Sequence, residues 1–375
     1  MKPHRILISG AGIAGLALAR RLQQLGIEHV IVEKHHESNP SSSGIALPFN
    51  AIQALRKMGI AEKVLEASHQ VNEIFYTKKN GRLISRASLL KAPLDQDRFV
   101  AMRRRELHDI LLDSTVSPVH FGTTIKSTHC HADGVDVACS DDSLSGHYDA
   151  VVSAEGIYST LRDQCFPNED TLLDHNISNW RFVIDYPGHG LQPTYMLDQT
   201  ELFLTYPLSP DLLYCYAHVY DVNERYKTGS PQQHLRQLFG EFGGEVNNVL
   251  DRLGDDPVIC SRLRSVRKPY YAKDRIVFIG DAGSACSPLL QQGAASAFED
   301  ALCFAEQCKR HDMNKAIVEY QRIRAPLVEW VVNTSDDPIK MMKMMDNPVG
   351  AFLRNMMIRR KGPLNVHGWK QLAAK

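Results

Sequence analysis

Apolar and polar positions along the chain change period several times, and the changes mark out elements. Arg5–Ser9 is a short apolar run followed by a turn at Gly10–Gly15. The next stretch is helical, with Ala14, Leu18, Leu22 and Leu25 on one face and Arg20, Arg21 and Gln24 opposite. Gly26 suits the end of that helix, and His29–Glu33 reads as a second buried strand. A polar, Ser-rich loop spans His35–Ser43, and Asn50–Met58 is helical up to Gly59. Asn80-Gly81 lies between Glu73–Thr77 and Arg82–Arg86, and Asp133-Gly134 between Thr123–His131 and Val135–Cys139; both pairs predict hairpins. Asp149–Ser153 is a buried strand running into Glu155-Gly156.

From about 171 to 267 the pattern becomes aromatic-rich alternation, with a helical insert near 231–253. Arg275–Gly280 returns to a buried strand, and helices follow at about 294–308 and 314–330. The second of these should turn Ala316, Tyr320, Ile323 and Leu327 inward. The expected fold is therefore α/β: a three-layer, Rossmann-like nucleotide-binding domain with an inserted antiparallel sheet and a C-terminal helical extension. Its pieces are 1–72, 97–170 and 268–330 for the nucleotide-binding domain, 73–96 and 171–267 for the substrate domain, and 331–375 for the extension.

Composition narrows the class. Lys plus Arg and Asp plus Glu are both 43. That balance lacks the basic excess of a nucleic-acid binder. The eight cysteines, at 130, 139, 165, 215, 260, 286, 303 and 308, form no Cys-x-x-Cys pair. Buried free thiols in a reducing compartment are expected rather than a metal site. His129 and His131 share a strand face but have no third ligand in the pattern. The N-terminus shows no apolar leader, and no apolar run reaches membrane-spanning length. A cytoplasmic protein, monomeric or homodimeric, is the expectation.

Gly10-Ala11-Gly12-Ile13-Ala14-Gly15 is a Gly-x-Gly-x-x-Gly motif between strand and helix, and Glu33 ends the second strand eighteen residues past Gly15. This combination places a pyrophosphate on the helix N-terminus and an acid on a ribose hydroxyl. A second constellation is the strand ending in Gly280-Asp281, followed by Pro288 and Gln292-Gly293-Ala294 at the start of a helix carrying Glu299-Asp300. A carboxylate there can accept from ribityl hydroxyls, and a helix N-terminus favours the anionic N1–O2 edge of a reduced flavin.

With these motifs the chain resembles the class A flavoprotein monooxygenases, the para-hydroxybenzoate and salicylate hydroxylase family. The likeness extends through Gly44-Ile45, Asn50-Ala51, Arg104–Leu107, Asp149–Arg162, Trp180-Arg181, Tyr206-Pro207, Gly280–Ala301 and Tyr320…Arg324…Pro326. It implies FAD bound by Gly10, Gly12, Ala14, Gly15, Glu33, Lys34, Gly44, Arg104, Ile125, Glu155, Gly156, Gly280, Asp281, Pro288, Gly293 and Ala294. It also implies reduction by transiently bound NAD(P)H, and transfer of one oxygen of O2 to an aromatic or polyketide-like molecule through a flavin C4a-hydroperoxide. The sequence departs from the family at Glu155 (usually Asp), Ser284 (usually His) and Gln291 (usually Gly), and carries no Arg within Ser41–Ser43.

A flavin reductase or oxidase, or a non-enzymatic flavin sensor, shares most of these features. A halogenase does not fit, because Trp occurs only at 180, 330 and 369 and so cannot form Trp-x-Trp-x-x-Pro. For the substrate, Tyr206 and the alternating strand Leu213–Tyr220 stand out. Tyr214, Tyr216 and His218 on one face are expected to meet substrate, with Leu213, Cys215, Ala217 and Val219 in the core behind. The reverse, with the aliphatic face lining the cavity, stays open. The C-terminal Met341–Met345 and Met356–Met357 clusters, with Arg359, Arg360 and Lys361, read as a helix covering the substrate domain or as a membrane-surface helix.

Overall fold

A computed structural model of the chain describes residues 4–38, 43–344 and 347–375. Arg5–Ser9 lies inside a six-stranded sheet, flanked by Ala150–Ser153 and Glu28–Glu33. Ile276–Phe278 and Val119–Phe121 extend it in parallel on either side, and only Ala272–Lys273 at one edge pairs antiparallel. Period-two geometry then divides the side chains between the two faces. Ile6, Ile8 and Val152 pack under the helices Ile13–Gln24 and Gly293–Arg310. Leu7, Val151 and Phe278 pack on the opposite face against Val135 and Val137 of a small three-stranded sheet. Three layers result, each interior aliphatic side chain contributing about 1.5–3 kcal/mol by burial.

The second sheet has seven strands, in the order Ile259–Val266, Leu172–Asp185, Leu212–Tyr220, Leu202–Ser209, Thr194–Leu197, Glu73–Lys78 and Leu83–Ser88. It is antiparallel except where Thr194–Leu197 runs parallel to Glu73–Lys78. Both expected hairpins form. Leu213, Cys215, Ala217 and Val219 point back into a core closed by the helices Pro231–Phe239 and Val246–Leu253.

The helix expected over 314–330 instead runs from Met313 to Met344 with Pro326 and Pro338 inside it. Tertiary packing overrides the breaker residues: Val331, Val332, Ser335, Asp336 and Ile339 are all buried beyond the anticipated end. Asp336 accepts hydrogen bonds from the Ser265 hydroxyl and the Ser287 N–H, both at 2.9 Å. Ile323 is exposed rather than inward, at 42%. The Ser-rich loop and the Met341–Met345 run fall partly outside the described residues. The final helix, Leu364–Ala373, seats Trp369 against Phe99 and donates its indole N–H to the Leu290 carbonyl at 2.9 Å. It thus covers the same apolar cluster that holds Tyr195, Tyr206 and Tyr216.

Candidate cofactor and substrate site

The two sheets enclose one cavity of about 870 Å³. Gly10, Gly12, Ala14, Glu33, Lys34, Gly44, Arg104, Ile125, Glu155, Gly156, Asp281, Pro288, Gly293 and Ala294 line it, together with Tyr206, Tyr214 and Tyr216. Gly15 and Gly280 lie behind the wall. A Cβ on Gly15 would sit 1.9 Å from the Gly10 carbonyl oxygen, and one on Gly280, at φ 56°, would sit 2.8 Å from the Ala14 methyl. These two glycines set the backbone spacing on which the lining depends.

Two helix N-termini open on the cavity. Ile13–Gln24 starts at Gly12 with neither a side-chain cap nor an acid in its first turn, leaving its first N–H groups for a ligand. A Cβ added at Gly12 meets nothing within 4 Å, so a phosphate can approach the backbone there. Gly293–Arg310 likewise begins without a side-chain cap or first-turn acid. Glu33 is oriented at its strand end by accepting from Ala11 N–H at 2.9 Å and His35 N–H at 3.0 Å. Asp281 faces the cavity with its side chain open to that space. The protein walls around the cavity raise its carboxyl above the ordinary range, and the Arg104 charge opposes the rise.

At the other end the sheet presents Tyr206, Tyr214 and Tyr216. Burial pushes the Tyr214 hydroxyl up to about 12 and raises the other two further, so all three are neutral hydrogen-bond donors near pH 7. Arg181 pairs with Tyr216 across the strands and lines the same wall. One of its terminal nitrogens donates to the Ser261 hydroxyl at 3.1 Å, and its Nε is buried with no partner among the described residues.

His218 departs from the expectation. It shares a strand face with Tyr214 and Tyr216 but does not line the cavity. Its ring packs edge-on to Tyr216, with Nδ1 3.1 Å from that hydroxyl, and burial lowers its pKa to about 4. It therefore orients Tyr216 as a neutral imidazole.

The FAD binding domain family model matches residues 4–335. The chain belongs to that family. It is an FAD-dependent monooxygenase, and curated relatives match it across nearly its whole length. A 2-heptyl-3-hydroxy-4(1H)-quinolone synthase of Pseudomonas aeruginosa is 28% identical over 372 residues, covering 94% of this chain and 93% of the relative. An FAD-dependent urate hydroxylase of Mycolicibacterium vanbaalenii is 25% identical, covering 85% and 84%. In fold, the chain superposes on Klebsiella pneumoniae HpxO, solved with FAD and uric acid, with a TM-score of 0.86 at 22% identity, over 99% and 97% of the two chains.

In this monooxygenase the departures from the family pattern have local explanations. The longer Glu155 reaches the start of the helix Thr160–Cys165. There it accepts from the hydroxyls of Ser9, Ser159 and Thr160 and the N–H of Leu161, at 2.7–3.1 Å. Ser284 donates back to the Gly280 carbonyl at 3.2 Å. Gln291 keeps the left-handed backbone that a glycine would favour, at φ 55°, and its amide donates to the Tyr195 hydroxyl at 2.8 Å.

The frame of the monooxygenase site uses residues that the sequence reading left without a role. Asp300 accepts from the Gly280 N–H at 3.0 Å and from Arg324 Nε at 2.7 Å. Arg324 also donates to Glu299 at 2.8 Å, and Glu299 accepts from the Asn50 amide, which bonds Gln292 at the helix start. Arg162 is fully buried and donates to the carbonyls of Ala282 and Ile157 at 3.0 and 2.6 Å. All of them fall within the segments that carry the family likeness, which gave them no role.

Proposed function

We propose that this monooxygenase is reduced by NAD(P)H and hydroxylates a flat aromatic or heteroaromatic molecule held between the flavin site and the tyrosine wall. The carrying observation is the cavity that joins two uncapped helix N-termini to a wall of neutral tyrosine hydroxyls. The names of the relatives, a quinolone synthase and a urate hydroxylase, agree with a planar ring substrate.

FAD, when bound, supplies hydride acceptance and activation of O2. In this reading Gly10, Gly12 and Ala14 hold its pyrophosphate at the helix start, and Glu33 and Lys34 take the adenosine ribose. Arg104, Glu155 and Asp281 flank the ribityl chain and second phosphate. Gly44, Ile125 and Gly156 border the remainder, and Pro288, Gly293 and Ala294 lie along the ring, where the helix N-terminus favours negative charge. Tyr206, Tyr214 and Tyr216 orient the substrate, and Arg181 offers it a partly desolvated cation. His218 acts only through Tyr216. The C-terminal helix, by covering the tyrosine cluster, keeps water from the reacting atoms.

The reaction is tested with a panel of phenolic acids, quinolones and other heterocycles. Each is scored for acceleration of NAD(P)H oxidation and for a product one oxygen heavier by mass. Acceleration with oxygen insertion for at least one planar ligand is expected. Oxidation that no ligand accelerates would count against this reading.

A further inference from the structure

The helix Pro348–Lys361 has its polarity reversed. Its inner face is Gly350, Arg354 and Ile358, all buried. The Arg354 guanidinium donates to the carbonyls of Gln199 and Asp198 at 2.8 and 2.5 Å. Asn347 accepts from the Gly350 N–H at 2.9 Å and caps the helix. These contacts fix its rotation.

The opposite face carries Val349, Phe352, Leu353 and Met356 at helical spacing, exposed by 68, 65, 45 and 46%. A helix resting on protein in water normally turns such a stripe inward, and contiguous exposed apolar surface usually serves an interaction. Arg359 and Arg360 continue this face one turn on, and both are exposed with Lys361. From Asn347 to Lys375 the chain has basic residues at 354, 359, 360, 361, 370 and 375 and no Asp or Glu, although the whole chain balances 43 against 43.

We propose that this face docks the protein on an anionic lipid surface. The apolar stripe enters the boundary between headgroups and acyl chains, and Arg359, Arg360 and Lys361 stay at the level of the lipid phosphates. The helix would lie flat over about 21 Å. Among the described residues no helix is long and apolar enough to cross a membrane, so the contact is peripheral. A second copy of the chain is the poorer occupant, because face-to-face pairing would bring two basic, acid-free segments together.

The test uses full-length, FAD-loaded protein sedimented with vesicles of phosphatidylcholine alone or mixed with phosphatidylglycerol. Binding to the mixed vesicles should be at least about tenfold tighter than to the neutral ones and should weaken as salt rises. Two variants should each lose about tenfold or more: Phe352→Asp with Leu353→Asp, and Arg359→Glu with Arg360→Glu and Lys361→Glu. Both sets change exposed positions that do not line the cavity, so FAD content and melting temperature should match wild type. Three results would overturn the proposal: wild type left in the supernatant with both vesicle types, variants that bind as wild type does, or a lipid-free dimer that Phe352→Asp with Leu353→Asp splits. The last would assign the face to a second copy.

Discussion

Replacing Asp281 or Glu155 by alanine should damage the protein in different ways, because the two carboxylates are differently employed. Glu155 is fully engaged within the chain by four donors at 2.7–3.1 Å. Asp281 has no hydrogen-bond or ion-pair partner among the described residues, and the protein walls around it disfavour its charge even though it opens on the cavity. A hydrogen bond to a charged group contributes about 1.5–3 kcal/mol, so Asp281→Ala should weaken FAD binding about 10- to 150-fold. Its apo melting temperature should hold or rise. An acid whose folded pKa lies above its unfolded value loses stability as pH rises through that window, and removing it abolishes the loss. Glu155→Ala should do the reverse, removing an N-terminal helix acceptor and leaving the buried Ser9 hydroxyl without its partner. A cost of about 1–3 kcal/mol should lower the apo melting temperature by several degrees, with a smaller change in FAD affinity. Flavin fluorescence quenching on the apo variants gives the dissociation constants, and thermal unfolding without FAD gives the stabilities. Equal affinity losses with unchanged apo stability in Glu155→Ala would refute the division of roles.

Three further outcomes follow from the same geometry. His218 stays neutral in the fold down to about pH 4 but is protonated near 6.5 when unfolded, so its contribution declines as pH falls between those values, by up to about 3 kcal/mol. His218→Gln should flatten that part of the stability–pH curve, and a superimposable curve would contradict it. Gln291→Gly should melt higher than Gln291→Ala, since both lose the bond to Tyr195 but only glycine relieves about 1 kcal/mol of left-handed strain; identical melting would contradict it. Arg324→Met should cost about 3–5 kcal/mol in denaturant unfolding and lower FAD occupancy, because it strands Asp300 and Glu299 inside the protein. A loss below about 1 kcal/mol would show that the network does not hold the site.

How much of this was legible depended on how local each signal is. Gly10 through Glu33 is one βαβ unit, so its glycines, helix and acid could be read together from thirty consecutive residues. The strand Leu213–Tyr220 showed its two faces by alternation. Alternation does not show where along the strand the cavity ends, which is why His218 was grouped with Tyr214 and Tyr216 although it stops short of the wall. The Asn50–Gln292–Glu299–Arg324 network joins residues up to 249 positions apart, and no local pattern encodes such contacts. The helix Met313–Met344 runs past its expected end at 330 because tertiary burial outweighs the two prolines inside it.

The most direct measurement supplies the protein with FAD, NAD(P)H, an accelerating ligand and heavy-isotope dioxygen, and follows the label by mass spectrometry. A monooxygenase acting as proposed puts one labelled oxygen into the product for each NAD(P)H consumed productively and the other into water. Ligand-stimulated oxidation in which all the label appears as peroxide, with no labelled organic product for any ligand, would contradict the account and make the protein an oxidase.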